Sequence, residues 1–265
     1  MVTPGAPLTQ QESSRLYDRE FFDYVDRGSS VSAEIIVSLL FPVIQPSSVL
    51  DVGCGRGSWI ATWKRHGCAS IRGLDGAYVD RANLHVAADE FDVADLAQPF
   101  NLARRYDLVQ CLEVAEHLPR DASATLIGSL VQHGDVILFS AAQPGQGGTG
   151  HINERDLGFW RDLFAGHEYH VLDFVRPRVA DNKRVEPWYR YNMLLFANPA
   201  GLLRLDASIQ ATLVADTTEL SSFESLAWRL RRNILRLLPR RWVDDLARVN
   251  NVVARWHNSG ARSVK

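Results

Sequence analysis

From Ser48 to Asn198 the chain alternates between short apolar runs and amphipathic stretches, and this alternation limits its fold more than any other feature. SVLDV (48–52) reads as a buried strand and residues 57–66 as a helix. Ile71–Asp75 is a second strand, a short helix is expected near 78–83, and a third strand near Glu90–Val93. YDLVQCLE (106–113) is the fourth strand, a helix follows near 121–132, and DVILFSA (135–141) is the fifth. YHVLDFVR (169–176) and YNMLLFAN (191–198) form a late pair. Strands that alternate with helices predict a largely parallel sheet with helices on both faces. Ligands of such sheets collect at the carboxyl ends of the strands, where the strand order reverses.

Two helical regions flank this unit. Residues 13–26 carry Leu16, Phe21, Phe22, Tyr24 and Val25, and Gly28-Ser29-Ser30 is expected to interrupt the helix. A second helix, capped by Ser32, is expected to run to about Phe41, with Pro42 ending it. Helices 13–41 then form a lid on a domain spanning 1–200, and residues 201–265 form a helical extension. Within the extension, SLAWRLRRNILRLLPRR (225–241) has six arginines and no acid, and Leu226, Leu230, Ile234 and Leu237 fall on one face. It predicts a helix packed on the domain, or in weak contact with an anionic membrane surface or a second copy.

The glycines of DVGCGRG (51–57) sit where the first strand meets its helix. A dinucleotide fingerprint G-x-G-x-x-G would need glycine at position 58, which is Ser58. Gly53 and Gly55 leave the backbone of the turn open to close approach, because no Cβ intervenes. Asp51 is placed to attract an ammonium or to anchor the amides of the turn. Asp75 ends the second strand, where nucleotide sites place an acid for ribose hydroxyls. Asp92, between Phe91 and Val93, is placed to accept an adenine amine. Cys111, Leu112 and Glu113 leave the fourth strand beside the same crevice.

In order and spacing these four pieces resemble a class I S-adenosylmethionine-dependent methyltransferase: DVGCGRG, GLDG, FDVADL and DLVQCLEVAEHL. The resemblance covers roughly residues 30–200. It implies a Rossmann-like α/β fold with a seven-stranded, mostly parallel sheet in the order 3-2-1-4-5-7-6, strand 7 antiparallel. It implies S-adenosylmethionine as cofactor, held by Asp51, Gly53, Cys54, Gly55, Asp75, Gly76, Asp92, Val93, Leu112 and Glu113.

The block AAQPGQGGTGHINERDLGFW after the fifth strand is similar to a PGQGGxGHxNE loop in a subgroup of bacterial small-molecule methyltransferases. Pro144–Gly150 reads as a mobile loop. His151 is the first candidate for a general base, since an imidazole titrates near neutrality, and Glu154 for an anchoring carboxylate. His117 of EVAEHLP is the second catalytic candidate; by resemblance it lies near the donor's methionine end, and Glu116 is placed to orient it or to solvate a helix start. Tyr17, Phe21 and Phe22, and Trp188, Tyr189 and Tyr191 of EPWYRYN, are further candidates for the pocket. EVAE stands where amine-directed relatives carry N-P-P-[YF], which favours a hydroxyl acceptor. No metal-binding set follows from the spacing.

Composition narrows the partners. The net charge of −2 gives no global case for nucleic-acid binding, so a small-molecule acceptor is expected. Three cysteines, Cys54, Cys68 and Cys111, form no disulfide framework and fit a reducing cytoplasm. The first residues lack a basic, apolar signal segment. Two other readings use the same crevice: a nicotinamide-dependent oxidoreductase, which Ser58 speaks against, and a non-catalytic cofactor-binding scaffold.

Overall fold

The computed structural model describes residues 19–239 and 242. The strands are β1 (Ser48–Val52), β2 (Ser70–Asp75), β3 (Phe91–Val93), β4 (Leu108–Leu112), β5 (Val136–Ser140), β6 (His170–Leu172) and β7 (Leu194–Ala197). They form one seven-stranded sheet in the order β3-β2-β1-β4-β5-β7-β6. The first five are mutually parallel, and β7 runs antiparallel to both β5 and β6. The sequence-based fold therefore holds, with strand ends shifted inward by a few residues.

The helices are α1 (Arg19–Ile44), α2 (Ser58–Arg65), α3 (Ser123–His133), α4 (Leu157–Ala165), α5 (Arg176–Val179), α6 (Pro187–Asn192), α7 (Pro199–Leu202), α8 (Ala207–Gln210) and α9 (Leu226–Leu237). Strand residues alternate between two cores, as a period of two requires. Val49, Leu108 and Leu138 face a core built with Ile36, Val37 and Leu40 of α1 and Trp63 of α2. Leu50, Val109, Ile137 and Phe139 face the other, built with Ile127 and Leu130 of α3 and Trp160 and Phe164 of α4. All residues of β1, β4 and β5 are buried, which is why these strands read as continuous apolar runs rather than as alternating ones.

The structure corrects the N-terminal region. Over its described part it is a single helix through Gly28-Ser29-Ser30 and Pro42. Gly28 is a contact point: a Cβ there would lie 2.6 Å from the Glu186 carboxylate. Ser29 Oγ lies 2.9 Å from the Tyr189 hydroxyl. Ser32 does not cap a new helix; its hydroxyl donates to Gly28 O at 2.8 Å and accepts from the Glu186 amide at 3.0 Å. Tertiary bonds thus outweigh the weak helix propensity of the three residues. Pro42 sits near the end of α1, which stops at Ile44, and Gln45 then takes a left-handed φ of 47°. Tyr17 and the start of the 13–26 segment lie outside the described residues.

Two other expectations change. The strand expected over 191–198 begins only at Leu194, because Tyr191 and Asn192 close α6, which has Pro187 at its first position, where a missing N–H costs nothing. The segment after 200 is only partly helical. Residues 214–225 carry neither helix nor strand. Leu213 bridges to Leu172 at the sheet edge, and Leu205 and Ile209 enter the first core.

Candidate active site

The order of the sheet reverses between β1 and β4, and the carboxyl ends of β1, β2, β4 and β5 meet there. On the β1 side the chain turns through Gly53, Gly55 and Gly57, with φ of 81°, 54° and 85°, a region that residues with a Cβ avoid. Gly53 N and Cys54 N donate to Leu74 O at 2.7 and 3.3 Å, which ties the turn to β2. Gly55 N donates to Asp75 Oδ2 and Gly76 N to Asp75 Oδ1, each at 2.6 Å. The Tyr78 hydroxyl donates to the same Oδ1. Burial raises the Asp75 carboxyl pKa, and these three bonds pull it back.

Asp75 thus serves as the anchor of the turn, the role considered for Asp51. Asp51 lies buried beneath the turn, 3% exposed. Burial pushes its carboxyl to about 8; the Gln110 amide opposes that shift and the Asp75 charge adds to it. Among the donors on Asp75, the Tyr78 hydroxyl is the one that comes from a side chain. Gly53 also has a second cause. A Cβ there would fall 2.2 Å from a Val114 methyl, so its bareness admits the loop after β4. On β3, Phe91 turns inward to Cys54 and Val79. Asp92 alternates outward, half exposed, and pairs with Arg72 at 3.3 Å, while Val93 is exposed. From above, Asp26 of α1 meets Arg56 Nη1 at 3.5 Å and His85 Nε2 at 3.1 Å, which places the helix over the glycine turn.

On the β4 side Leu112 is buried, and Glu113 adopts a left-handed φ of 56°. The Glu113 carboxylate accepts from Gln146 Nε2 at 2.8 Å and Asn192 Nδ2 at 3.3 Å. Asn192 Nδ2 also donates to Gln146 Oε1 at 2.8 Å, and Gln143 Nε2 donates to Asn192 Oδ1 at 3.0 Å. Desolvation still raises the Glu113 pKa against these bonds. A short turn, Ala115–His117, follows. Glu116 O accepts from Ile152 N at 2.8 Å and Asn153 N at 2.9 Å, joining the loops after β4 and β5. The Glu116 side chain is fully buried, so it neither solvates a helix start nor meets solvent. Its pKa is driven far up, by burial first and then by the Glu113 charge.

The joined loops bring the two catalytic candidates together. The rings of His117 and His151 lie edge to face with centroids 4.9 Å apart. His117 Nδ1 lies 3.3 Å from Gly150 O, and burial, then the neighbouring His151, lowers its pKa to about 3. His151 Nδ1 lies 2.9 Å from Glu154 Oε1. A proton on each Nδ1, facing an oxygen, leaves the lone pair of the neutral ring on Nε2. Burial works to raise Glu154, but His151 and the amides of Gly145 and Gly147, each donating at 2.8 Å, outweigh it and hold its pKa low.

The expected mobile loop is therefore pinned. Glu154 holds two of its amides, and Gln146 is buried. Arg231 Nη1 of α9 donates to Gln146 O at 2.8 Å. A Cβ at Gly145 would lie 2.4 Å from Arg232 O, and one at Gly148 would lie 2.2 Å from His151 Nε2. Trp228 of α9 packs against Tyr191, ring centroids 5.9 Å apart. Leu226, Leu230, Ile234 and Leu237 do share one face of α9, but that face is exposed. No described helix is long and apolar enough to cross a membrane.

Tyr189 and Tyr191 are buried, with Trp59 Nε1 donating to the Tyr189 hydroxyl at 3.3 Å; Trp188 packs partly buried against the first core. Reading the sequence missed Gln143, Gln146 and Asn192. Their signal is amide side chains at the mouth of otherwise apolar strands.

The profile of a family described as "Methyltransferase domain" matches residues 27–172. Among curated proteins, the chain is 34% identical over 181 residues to the ubiquinone biosynthesis O-methyltransferase of Neisseria meningitidis serogroup C (strain 053442), across 64% of this chain and 65% of that protein. The first such relatives are matched over only 55% to 65% of their length. Among solved structures, an O-methyltransferase family protein from Burkholderia thailandensis superposes with a TM-score of 0.56 at 15% identity, covering 73% of this chain and 64% of that one. The plantazolicin methyltransferase BpumL, solved with SAH, gives 0.50 at 14% identity, over 72% of this chain and 91% of that one. At such identities these structures speak for the fold alone.

Proposed function

The chain belongs to the methyltransferase-domain family, and from that premise we propose that it transfers the methyl group of S-adenosylmethionine to a hydroxyl oxygen of a small-molecule acceptor in specialised-metabolite or glycan biosynthesis. One observation carries the acceptor side of this reading. Two imidazoles from the loops after β4 and β5 meet, and one of them is backed by a carboxylate. The sulfonium donor is already activated, so the protein must align the acceptor, exclude water and take a proton. The acceptor oxygen attacks the methyl carbon in line with the breaking C–S bond. The methyl passes to oxygen, the bonding pair stays on sulfur, and the hydroxyl proton is removed.

His151 is the side chain for that last step. Glu154 fixes its tautomer and would stabilise the imidazolium. The cofactor would be held by the glycine turn, with Asp51 beneath it for the ammonium, Asp75 for the ribose, and Asp92 and Val93 for the adenine. The ubiquinone biosynthesis O-methyltransferase of Neisseria meningitidis, 34% identical over the matched part, supports an oxygen acceptor. Calorimetry with S-adenosylmethionine and S-adenosylhomocysteine tests the reading, followed by release of S-adenosylhomocysteine across phenols, sugars and carboxylates. Absence of heat with either nucleoside would sink it. A nicotinamide enzyme would instead take up NAD, and a scaffold would bind the cofactor without turnover. The exposed apolar face of α9, flanked by Arg229 and Arg236, is the surface for a weak membrane or second-copy contact. Liposome flotation and sedimentation would separate these two.

A further inference from the structure

Glu116 is the least satisfied polar side chain of the site. It is 0% exposed, and neither carboxylate oxygen has a well-formed hydrogen bond, although the amides of Glu116 and Ala142 lie near. An ionised carboxylate without partners is strongly disfavoured in an apolar interior, so such a group is neutralised by a proton or held by a cation. The neighbours decide between these. One ligand atom each from Glu116, His117 and His151 lies within 4.8 Å of the other two. Both imidazoles have Nδ1 against an oxygen, Gly150 O for His117 and the Glu154 carboxylate for His151. That arrangement fixes ring and tautomer in metal-bound histidines, the carboxylate–histidine pair above all. The Glu113 charge faces the same cluster, and Gly148, bare of a Cβ, lets its backbone lie against the His151 ring.

We infer that Glu116, His117 and His151 form a binding site for one divalent transition-metal ion. Two imidazoles with one carboxylate suit Zn²⁺ or Mn²⁺ and disfavour Mg²⁺ and Ca²⁺, which seek all-oxygen shells. Three protein ligands leave coordination positions open, as catalytic metal sites do. The His151 side chain, 12% exposed, marks the route by which an ion enters. What the ion does rests on the methyl-transfer reading: an acceptor hydroxyl bound at an open position would give its proton up to solvent water more readily, because the ion stabilises the alkoxide that attacks the methyl carbon. With the ion bound, the His151 lone pair holds the metal and solvent takes the proton; in the ion-free site His151 takes the proton itself. The binding site itself is independent of that reading.

The test is metal content of the full-length chain, by mass spectrometry after equilibration with Zn²⁺, Mn²⁺ or Mg²⁺, with calorimetric titration of each ion into chelator-treated protein. The expected result is one Zn²⁺ or Mn²⁺ per chain, weaker or no uptake of Mg²⁺, and affinity at least tenfold lower in Glu116→Gln and in His151→Ala. The second variant removes a partly exposed ligand and guards against misfolding of the first; circular dichroism of both confirms the fold. Wild-type protein that takes up no ion overturns the proposal, as do variants that keep full affinity. Heat from S-adenosylhomocysteine, measured in parallel, separates the two readings. Cofactor binding without metal uptake overturns the ion site alone, and metal uptake without cofactor binding overturns methyl transfer alone.

Discussion

The two sides of the crevice are built by different means. The β1–β2 side is backbone: three left-handed glycines and one acid that gathers two amides. The β4–β5 side is side chains: a Glu113–Gln146–Asn192–Gln143 network and a His117–His151–Glu154 chain, drawn from segments up to 79 residues apart. A backbone cradle needs particular residues at fixed local spacing, whereas a side-chain wall needs only that distant elements arrive together. The first kind of construction suits a constant ligand and the second an acceptor that must be chosen.

Four substitutions would break or sharpen this contrast. His151→Ala should lower methyl transfer by about 10²–10⁴-fold, the range for a lost acid–base group, while calorimetry records an unchanged affinity for S-adenosylhomocysteine. Equal loss of both would mean that the two sides are one unit. Asp75→Asn should do the reverse. It removes the charged acceptor of Gly55 N and Gly76 N, so cofactor affinity should fall by about tenfold or more, as the loss of a charge-assisted bond implies.

Gly53→Ala should destabilise the fold by about 1–3 kcal/mol through its positive φ, and further through collision with Val114. Denaturant titration would record it. The remaining effect is one of pH. The ordinary carboxyl value of 3.8 rises to about 8 for Asp51 in the folded chain. Between those values the folded chain holds a proton that the unfolded chain has lost. Its contribution to stability is therefore whole below pH 3.8 and is lost as the pH rises through 8. Asp51→Asn should flatten that part of the stability profile, measured by denaturant unfolding from pH 5 to 8.5.

The same contrast decides what could be read from the sequence. The strand order and the glycine turn follow from local patterns, and DVGCGRG with Asp75 marks the β1–β2 side within 25 residues. The neighbouring roles of Asp51 and Asp75 were harder, because both acids sit at strand ends and only the folded turn tells which one its amides choose. The α1 region misled for a physical reason. Gly28, Ser29 and Ser32 look like a break, yet they are sites where the helix touches residues 186 and 189. Tyr191 and Asn192 misled likewise, since they run into an apolar stretch that suits a strand while they close the helix that Pro187 opens. His117 and His151 were visible singly. Their meeting with Glu116 was not, because 34 residues separate the histidines and a loop-to-loop bond through Glu116 O closes the gap.

The glycines of the β5 loop have one more consequence. At Gly145 and Gly148 no added carbon fits, so these positions cannot drift under mutation without moving α9 or the His151 ring. The loop that carries the histidine is thereby closed to gradual variation. A descendant of this protein that adopted a new acceptor would have to alter walls elsewhere in the crevice, and would inherit this one unchanged.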